Sequence, residues 1–127
     1  MGSQNRPRNS FEKLDVYQQS LDLVSKVLRI TRKFPRSERY ELVSQMRRAA
    51  MSIPTNIVEG SSRRSTKEYL QFVSVAYGSS RELATHLQIA HSQDFLSDAE
   101  YEAIDVLRDR VGAMLWKLRQ SLESKEP

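Results

Sequence analysis

Residues 45–60 read QMRRAAMSIPTNIVEG, and this stretch decides the fold. Apolar residues recur here at steps of three and four, which places them on one face of a helix: Leu42, Met46, Ala49, Ile53 and Ile57. Pro54 lies inside the repeat, where a proline removes a backbone hydrogen bond and costs about 3 kcal/mol. Because the apolar spacing continues to Ile57, we predict one helix kinked at Pro54. The alternative is a break, after which Pro54 starts a new helix.

Polar and small residues predict the local hydrogen bonds of this helix and the positions of its two ends. Ser52 and Asn56 flank Pro54, and we hypothesise that they hydrogen-bond the backbone groups that the proline frees. Gly60 suits a left-handed C-cap, so the helix is predicted to end there. Ser37 is a good N-cap and marks its predicted beginning.

Helical patterns of similar length lie on both sides of this stretch. The first helix is predicted from about Asp15, as N-cap, to Lys33, because a following Phe-Pro pair disfavours further helix. A third begins at Ser65 or Thr66. A fourth begins at Ser97, where Ser-x-x-Glu fits a capping box. We predict an all-α fold, an antiparallel up-down-up-down four-helix bundle, because the helices are long and their links short.

The bundle domain is predicted to span residues 14–123, between a flexible arm at 1–13 and a flexible tail at 124–127.

The third helix contains an interrupting stretch, Gly78-Ser79-Ser80. We interpret this stretch as a place where the backbone of the second helix approaches closely, with small residues of the second helix facing it. Trp116 either fills the core or anchors a subunit contact. The apolar face of the first helix is wide enough to contact two neighbours.

Composition narrows the classes of function. The 127 residues suit a single domain, and the absence of cysteine excludes disulfides and thiolate zinc sites and fits a cytoplasmic location. No apolar run approaches the roughly 20 residues of a bilayer span, so no membrane contact is predicted.

Catalytic machinery is not evident in the sequence. Both histidines, His86 and His91, fall late in the third helix, and a di-metal bundle site requires Glu-x-x-His on two helices. Glu82 and His86 are four residues apart, a spacing more typical of a surface pair than of a metal site. We expect no catalytic residues, no metal, no cofactor, no small-molecule substrate and therefore no enzyme.

Positive charge is concentrated in the first half of the chain. Residues 1–64 hold 13 Lys and Arg against 6 Asp and Glu, a net +7, whereas residues 65–127 hold 7 against 10, a net −3. Two interpretations remain open. The basic half either binds phosphate or meets an acidic protein surface.

Four arginines are the candidate nucleic-acid contacts: Arg47, Arg48, Arg63 and Arg64. Arginine grips phosphate bidentately, and several together give salt-sensitive binding. Two alternatives are structural, namely an i,i+4 ion pair of Glu59 with Arg63 and a subunit contact through Arg47 or Arg48. Three tyrosines offer either stacking faces for bases or core contacts: Tyr40, Tyr69 and Tyr77.

Five motifs carry a family resemblance: Phe11-Glu-Lys-Leu-Asp-Val-Tyr-Gln, Phe34-Pro, Gln45-x-Arg-Arg-Ala, Ser52-Ile-Pro-x-Asn-Ile-x-Glu-Gly60 and Ala76-x-Gly-Ser-x-x-Glu-Leu83. With them, residues 11–120 resemble the four-helix bundle family of bacterial 23S rRNA intervening-sequence proteins. The chain is more distantly similar to the accessory variability protein of diversity-generating retroelements.

The resemblance has several implications for fold and function. It implies a homo-oligomer, a pentamer, and an RNA-linked role without enzymatic activity. It also marks signature positions: Arg47, Arg48, Pro54, Asn56, Glu59, Gly60, Gly78 and Glu82. Our leading hypothesis is a non-enzymatic homo-oligomeric bundle that binds RNA through a basic surface. The alternative is a protein-interaction scaffold whose basic face docks an acidic partner protein.

Overall fold

The computed structural model describes residues 14–126, and within them the chain forms α-helices and no strand. Four long helices follow one another: α1 (Asp15–Thr31), α2 (Ser44–Ser61), α3 (Thr66–Ser92) and α4 (Asp98–Glu123). A 3-10 turn (Arg36–Glu38) and a π-helical segment (Arg39–Val43) connect α1 with α2. The predicted all-α four-helix fold is confirmed. The arm predicted for residues 1–13 lies outside the described residues, and the proposed domain limits stay predictions.

The helices pack side by side as a bundle around one apolar core. Helix α2 contacts α1 and α3, and α4 contacts α3 and α1. The apolar stripe predicted for the second helix is buried, with Met46, Ile53 and Ile57 fully inaccessible. Each such side chain contributes about 1.5–3 kcal/mol through burial, so this stripe holds α2 against its neighbours. Within the described residues, no helix has the length and hydropathy needed to cross a bilayer.

Contacts between α2 and α3 pair the end of α2 with the beginning of α3 and the middle of α2 with the middle of α3. Gly60 lies against Tyr69, and Ser52 against Ser79. This order of contacts is expected for neighbours that run in opposite directions; the complete up-down-up-down order stays a prediction.

Two of the four predicted N-caps are confirmed. Ser65 accepts a hydrogen bond from the backbone N–H of Glu68 at 3.1 Å. At α4, Ser97 and Glu100 form the predicted capping box, with bonds of 3.1 and 2.9 Å.

The other two N-caps were predicted wrongly, although the first helix does begin at Asp15, as predicted. The N-cap of α1 is Leu14, not Asp15, because Leu14 has extended dihedrals and its carbonyl already accepts the first helical bonds. Asp15 is the first helical residue instead, where its charge favours the helix dipole. Ser37 caps nothing, because the chain around it winds as a 3-10 turn and then as a π segment before α2 begins.

Helix α2 continues without interruption through Pro54, so the alternative of a break is wrong. The Asn56 side-chain amide donates to the carbonyl of Ser52 at 2.7 Å and to its hydroxyl at 2.9 Å. The hypothesised local bonding therefore exists, but it goes to Ser52 rather than to the carbonyl of Ala50 that Pro54 leaves without a donor. A kink at Pro54 stays a prediction.

The two signature glycines have roles opposite to those predicted. Gly60 is not a left-handed C-cap, since α2 runs on to Ser61 and no described glycine has a positive φ. A Cβ at Gly60 would instead lie 2.8 Å from Phe72 Cβ and from the Tyr69 ring, so α2 and α3 meet closely there. A Cβ at Gly78, predicted as the close approach, would meet nothing within 4 Å.

The small residues of the third helix do mediate helix contacts, although Gly78 does not. Ser79 donates a hydrogen bond to the Ser52 hydroxyl at 2.8 Å, which confirms the predicted contact with small residues of the second helix. Ser80 faces α4, where a Cβ on Gly112 would lie 2.9 Å from the Ser80 hydroxyl. The tight packing of α3 therefore involves both neighbours.

These contacts predict opposite effects of alanine at the two glycines. We expect Gly60→Ala to destabilise the fold by about 1–3 kcal/mol, because Phe72 Cβ is fixed to its backbone and cannot yield. Gly78→Ala, the matched control, should stabilise it by roughly 0.5–1 kcal/mol, since alanine favours a helix and meets no neighbour. Urea denaturation measures both, and equal effects at the two sites would contradict this packing.

Candidate nucleic-acid interface

Arg47, the first of the predicted contacts, connects two helices. It is half-buried, its Nε donates to the Thr31 hydroxyl at 2.9 Å, and its Nη2 donates to the carbonyl of Leu28 at 3.2 Å. The last carbonyls of a helix lack backbone partners and carry partial negative charge. Arg47 therefore closes the C-terminal end of α1 and holds it to α2, and its contact with nucleic acid stays a prediction.

This role predicts different effects for two adjacent arginines. Arg47→Ala should lower the free energy of unfolding by about 1–3 kcal/mol, because it removes the charged donor of the Thr31 hydroxyl and leaves the Leu28 carbonyl only a 3.3 Å bond from that hydroxyl. Arg48→Ala, the control one residue later, should change stability by no more than about 0.5 kcal/mol, as expected for an exposed side chain. Chemical denaturation of both variants tests this, and equal losses would mean that the Arg47 bonds contribute nothing.

The other three predicted arginines are exposed and differ in their partners. Among residues 14–126, Arg48 reaches only the Ser44 hydroxyl, at 3.5 Å. Arg63 pairs with Glu59 at 3.4 Å, as the i,i+4 alternative predicted, and its guanidinium lies 4.8 Å from the Phe72 ring centre. Arg64 makes no hydrogen bond or ion pair with any residue of the described part.

The structure does not bring the two arginine pairs together. Fourteen residues lie between Arg48 and Arg63, and all but one belong to α2, which spans about 20 Å along its axis from Arg48 to its end. The pairs therefore cannot form one compact site. Arg48 and Arg47 instead join other basic residues at the α1–α2 connection.

A groove of about 820 Å³ lies between the end of α1 and the beginning of α2. We call it the arginine groove, after the five arginines that line it: Arg32, Arg36, Arg39, Arg47 and Arg48. The remaining lining is neutral: Thr31, Phe34, Pro35, Tyr40, Val43, Ser44 and Met51. No carboxylate lines the groove within the described residues, so its charge is strongly positive.

The α1–α2 connection sets the shape of this groove. Phe34 is buried against the Phe95 ring, with ring centres 5.5 Å apart, which fixes the chain just after α1. Leu42 and Val43 are also buried and fix the other end of the connection. Between these anchors, the 3-10 turn and the π segment leave Arg36 and Arg39 exposed. Single π turns often occur at functional sites.

No carboxylate of residues 14–126 neutralises the charge of the groove. Outside the groove, four basic side chains of the described part pair with carboxylates: Lys26 with Asp22, Lys33 with Glu100, Arg63 with Glu59 and Arg108 with Asp105. The Lys33 ammonium holds the pKa of the Glu100 carboxyl below its usual value. None of the five groove arginines has an acidic partner among residues 14–126. Like charges crowded in this way attract anions from solution.

Of the three tyrosines considered for stacking, only Tyr40 presents a largely free ring. Its side chain is 86% exposed and lines the arginine groove. Tyr69 packs against Gly60, and burial raises the pKa of its hydroxyl. Tyr77 packs on Trp116, with ring centres 5.3 Å apart. The last two are therefore packing residues, as the alternative interpretation predicted.

Three groove arginines were not singled out from the sequence: Arg32, Arg36 and Arg39. The available signal was the density of basic residues between α1 and α2, within the first half whose net charge is +7. The predicted position of α2, beginning at Ser37, placed Arg39 on a regular helix rather than on a groove wall.

The described residues do not supply further ligands for a metal site at the Glu82–His86 pair. The predicted Glu82–His86 pair is present at 3.9 Å, on one face of α3. Within residues 14–126, no group of three or more His, Asp or Glu side chains is arranged to hold a metal ion.

Comparisons with known proteins identify a matching family and a similar fold. Residues 12–117 match the model of the 23S rRNA-intervening sequence protein family. The fold is similar to a crystal structure of a protein of unknown function from the S23 ribosomal protein family of Bacteroides thetaiotaomicron. The two superpose with a TM-score of 0.77 at 17% identity, over 82% of this chain and 97% of that one, a likeness of fold alone. A comparison with curated proteins finds no match.

Proposed function

This chain belongs to the 23S rRNA-intervening sequence protein family, and from that premise we propose that it is a non-enzymatic, homo-oligomeric bundle protein that binds RNA through the arginine groove. The family name connects its members with an insert in ribosomal RNA, which makes RNA the first polyanion to test. A cytoplasmic location, which the cysteine-free sequence suits, is part of this proposal.

The observation that carries the proposal is the unpaired charge of the groove. Five guanidinium groups line one groove without a carboxylate among its described residues. Arginine forms charge-assisted, often bidentate hydrogen bonds with phosphate. A polynucleotide presents phosphates at regular intervals, so several arginines can be satisfied by one strand, with release of the counterions that the strand held.

The homo-oligomer is supported by apolar surface that the protomer leaves uncovered. Large apolar side chains remain 41–52% exposed on three helices, among them Leu21, Val75, Ile89 and Trp116. Trp116 also lines a second groove, between α3 and α4, together with Tyr77 and Ala113. Exposed aromatic residues in a groove are typical anchors of protein interfaces. The pentameric number rests on the family resemblance.

A direct binding assay tests the proposal against its rival. Labelled RNA is titrated with the full chain at low salt, and an acidic polypeptide such as polyglutamate is added as competitor. We expect RNA to bind and polyglutamate of equal charge to displace it poorly, because carboxylates spaced along a peptide do not match phosphate spacing. Equal displacement by polyglutamate would favour the scaffold that docks an acidic protein. Absence of RNA binding at low salt would overturn the proposal.

A further inference from the structure

We propose that the arginine groove takes single-stranded nucleic acid and stacks one unpaired base on Tyr40. This inference rests on the proposed function and adds the class of nucleic acid. A base that is already paired within a duplex hides its faces between its neighbours, whereas an unpaired base offers one face to an aromatic side chain.

Tyr40 has the exposure that such stacking requires. With 86% of its surface accessible, it has the highest exposure of the large hydrophobic residues in the described part. It lies in the π-helical segment, directly after Arg39, and shares the groove with all five arginines. Aromatic rings beside basic side chains are the recurring arrangement of proteins that bind single strands, since the ring takes the base and the cations take the phosphates.

The groove itself has apolar and charged parts that match a nucleotide. Its apolar lining comes from Phe34, Val43 and Met51, of which Met51 is 44% exposed. Its volume of about 820 Å³ falls in the range of sites that enclose one small ligand. A base with its sugar and phosphate is a ligand of that size, whereas a duplex keeps its bases stacked on one another and offers no base face to Tyr40.

The test compares one RNA sequence in single-stranded and duplex form. Fluorescence anisotropy with strands of about 12 nucleotides measures the affinity of the full chain, Tyr40→Ala and Tyr40→Phe. We expect the wild type to prefer the single strand by about tenfold, and Tyr40→Ala to lose about that factor, because stacking is worth roughly that much per base. Tyr40→Phe keeps the ring and should keep the preference.

Three controls make each outcome decisive. Circular dichroism checks that Tyr40→Ala remains folded, which its exposure favours. Duplex affinity should be nearly the same for wild type and Tyr40→Ala, since only phosphates are then contacted. A mononucleotide should compete far less well than the strand, because it supplies one phosphate.

The possible failures are distinguishable from one another. Equal affinity for both RNA forms, an unchanged affinity of Tyr40→Ala for the single strand, or full competition by the mononucleotide would overturn this inference and leave phosphate binding in place. Absence of binding to either form would overturn the proposed function as well.

Discussion

Replacing Arg32, Arg36 and Arg39 together with alanine is expected to weaken RNA binding about 100-fold at 0.1 M salt. Each lost phosphate contact lowers the salt exponent of single-strand binding by about 0.7, so three contacts change it by about 2. All three side chains are exposed and none has an acidic partner in the described residues. The fold should therefore survive the change, and fluorescence anisotropy with labelled RNA measures the loss.

The matched control removes the same charge from another part of the surface. Lys67, Arg110 and Lys125 are exposed, lie outside the groove and have no acidic partner in the described part. Alanine at these three positions should change RNA affinity by no more than about fivefold, the contribution of one phosphate contact. Equal losses in the two triple variants would mean that net charge, not the groove, governs binding.

Replacing Trp116 with alanine is expected to raise the dissociation constant of the proposed homo-oligomer by about 30-fold or more, as for a typical aromatic hot spot. The indole is 42% exposed although it packs on Tyr77 and under the Arg119 guanidinium. It therefore has apolar surface to bury against a sister copy, which excludes the alternative that Trp116 simply fills the core. Sedimentation velocity over a range of protein concentrations measures the shift.

Val106→Ala is the control for this prediction. Val106 is 52% exposed on the same helix but lies about 80° from Trp116 around the axis. We expect it to leave the oligomer intact, so that loss of a large apolar group alone does not explain the result. A Trp116→Ala protein that keeps its helical content and the wild-type oligomer would show that this groove is not a subunit contact.

The helices were predictable because they depend on local patterns. The repeat around Met46 and Ile53 identified α2, and the short motifs at Ser65 and Ser97 identified two helix beginnings. These signals involve residues within one or two turns of each other, so the sequence carries them directly. The prediction that α2 begins at Ser37 was wrong because a π segment precedes α2. We attribute this segment to the burial of Leu42 and Val43, which depends on tertiary packing and not on local sequence.

The glycines show why a residue type alone does not reveal its role. In the sequence, a glycine near a helix end suits a C-cap equally well whether or not another helix touches it. At Gly60 the deciding partners are Tyr69 and Phe72, nine and twelve residues away on α3. The positions of these two side chains depend on how α2 and α3 pack, and the sequence around Gly60 does not predict that packing.

The positive charge of the candidate site was predictable from the sequence, but the residues that line it were not. The excess of basic residues in the first half predicted a surface for phosphate or for an acidic protein face, with Arg47, Arg48, Arg63 and Arg64 as candidate contacts. The structure groups Arg32, Arg36 and Arg39 with Arg47 and Arg48, and it leaves Arg63 elsewhere, paired with Glu59. These assignments depend on how a short connection folds between two anchored ends, which the local sequence leaves open.

The salt dependence of RNA affinity tests most directly whether unpaired groove charge binds phosphate. If all five groove arginines take phosphates, log K against log salt should fall with a slope of about −3.5, and with about −1.4 in the Arg32, Arg36 and Arg39 triple variant. A wild-type affinity that does not change with salt, or an equal slope in the triple variant, would contradict the account.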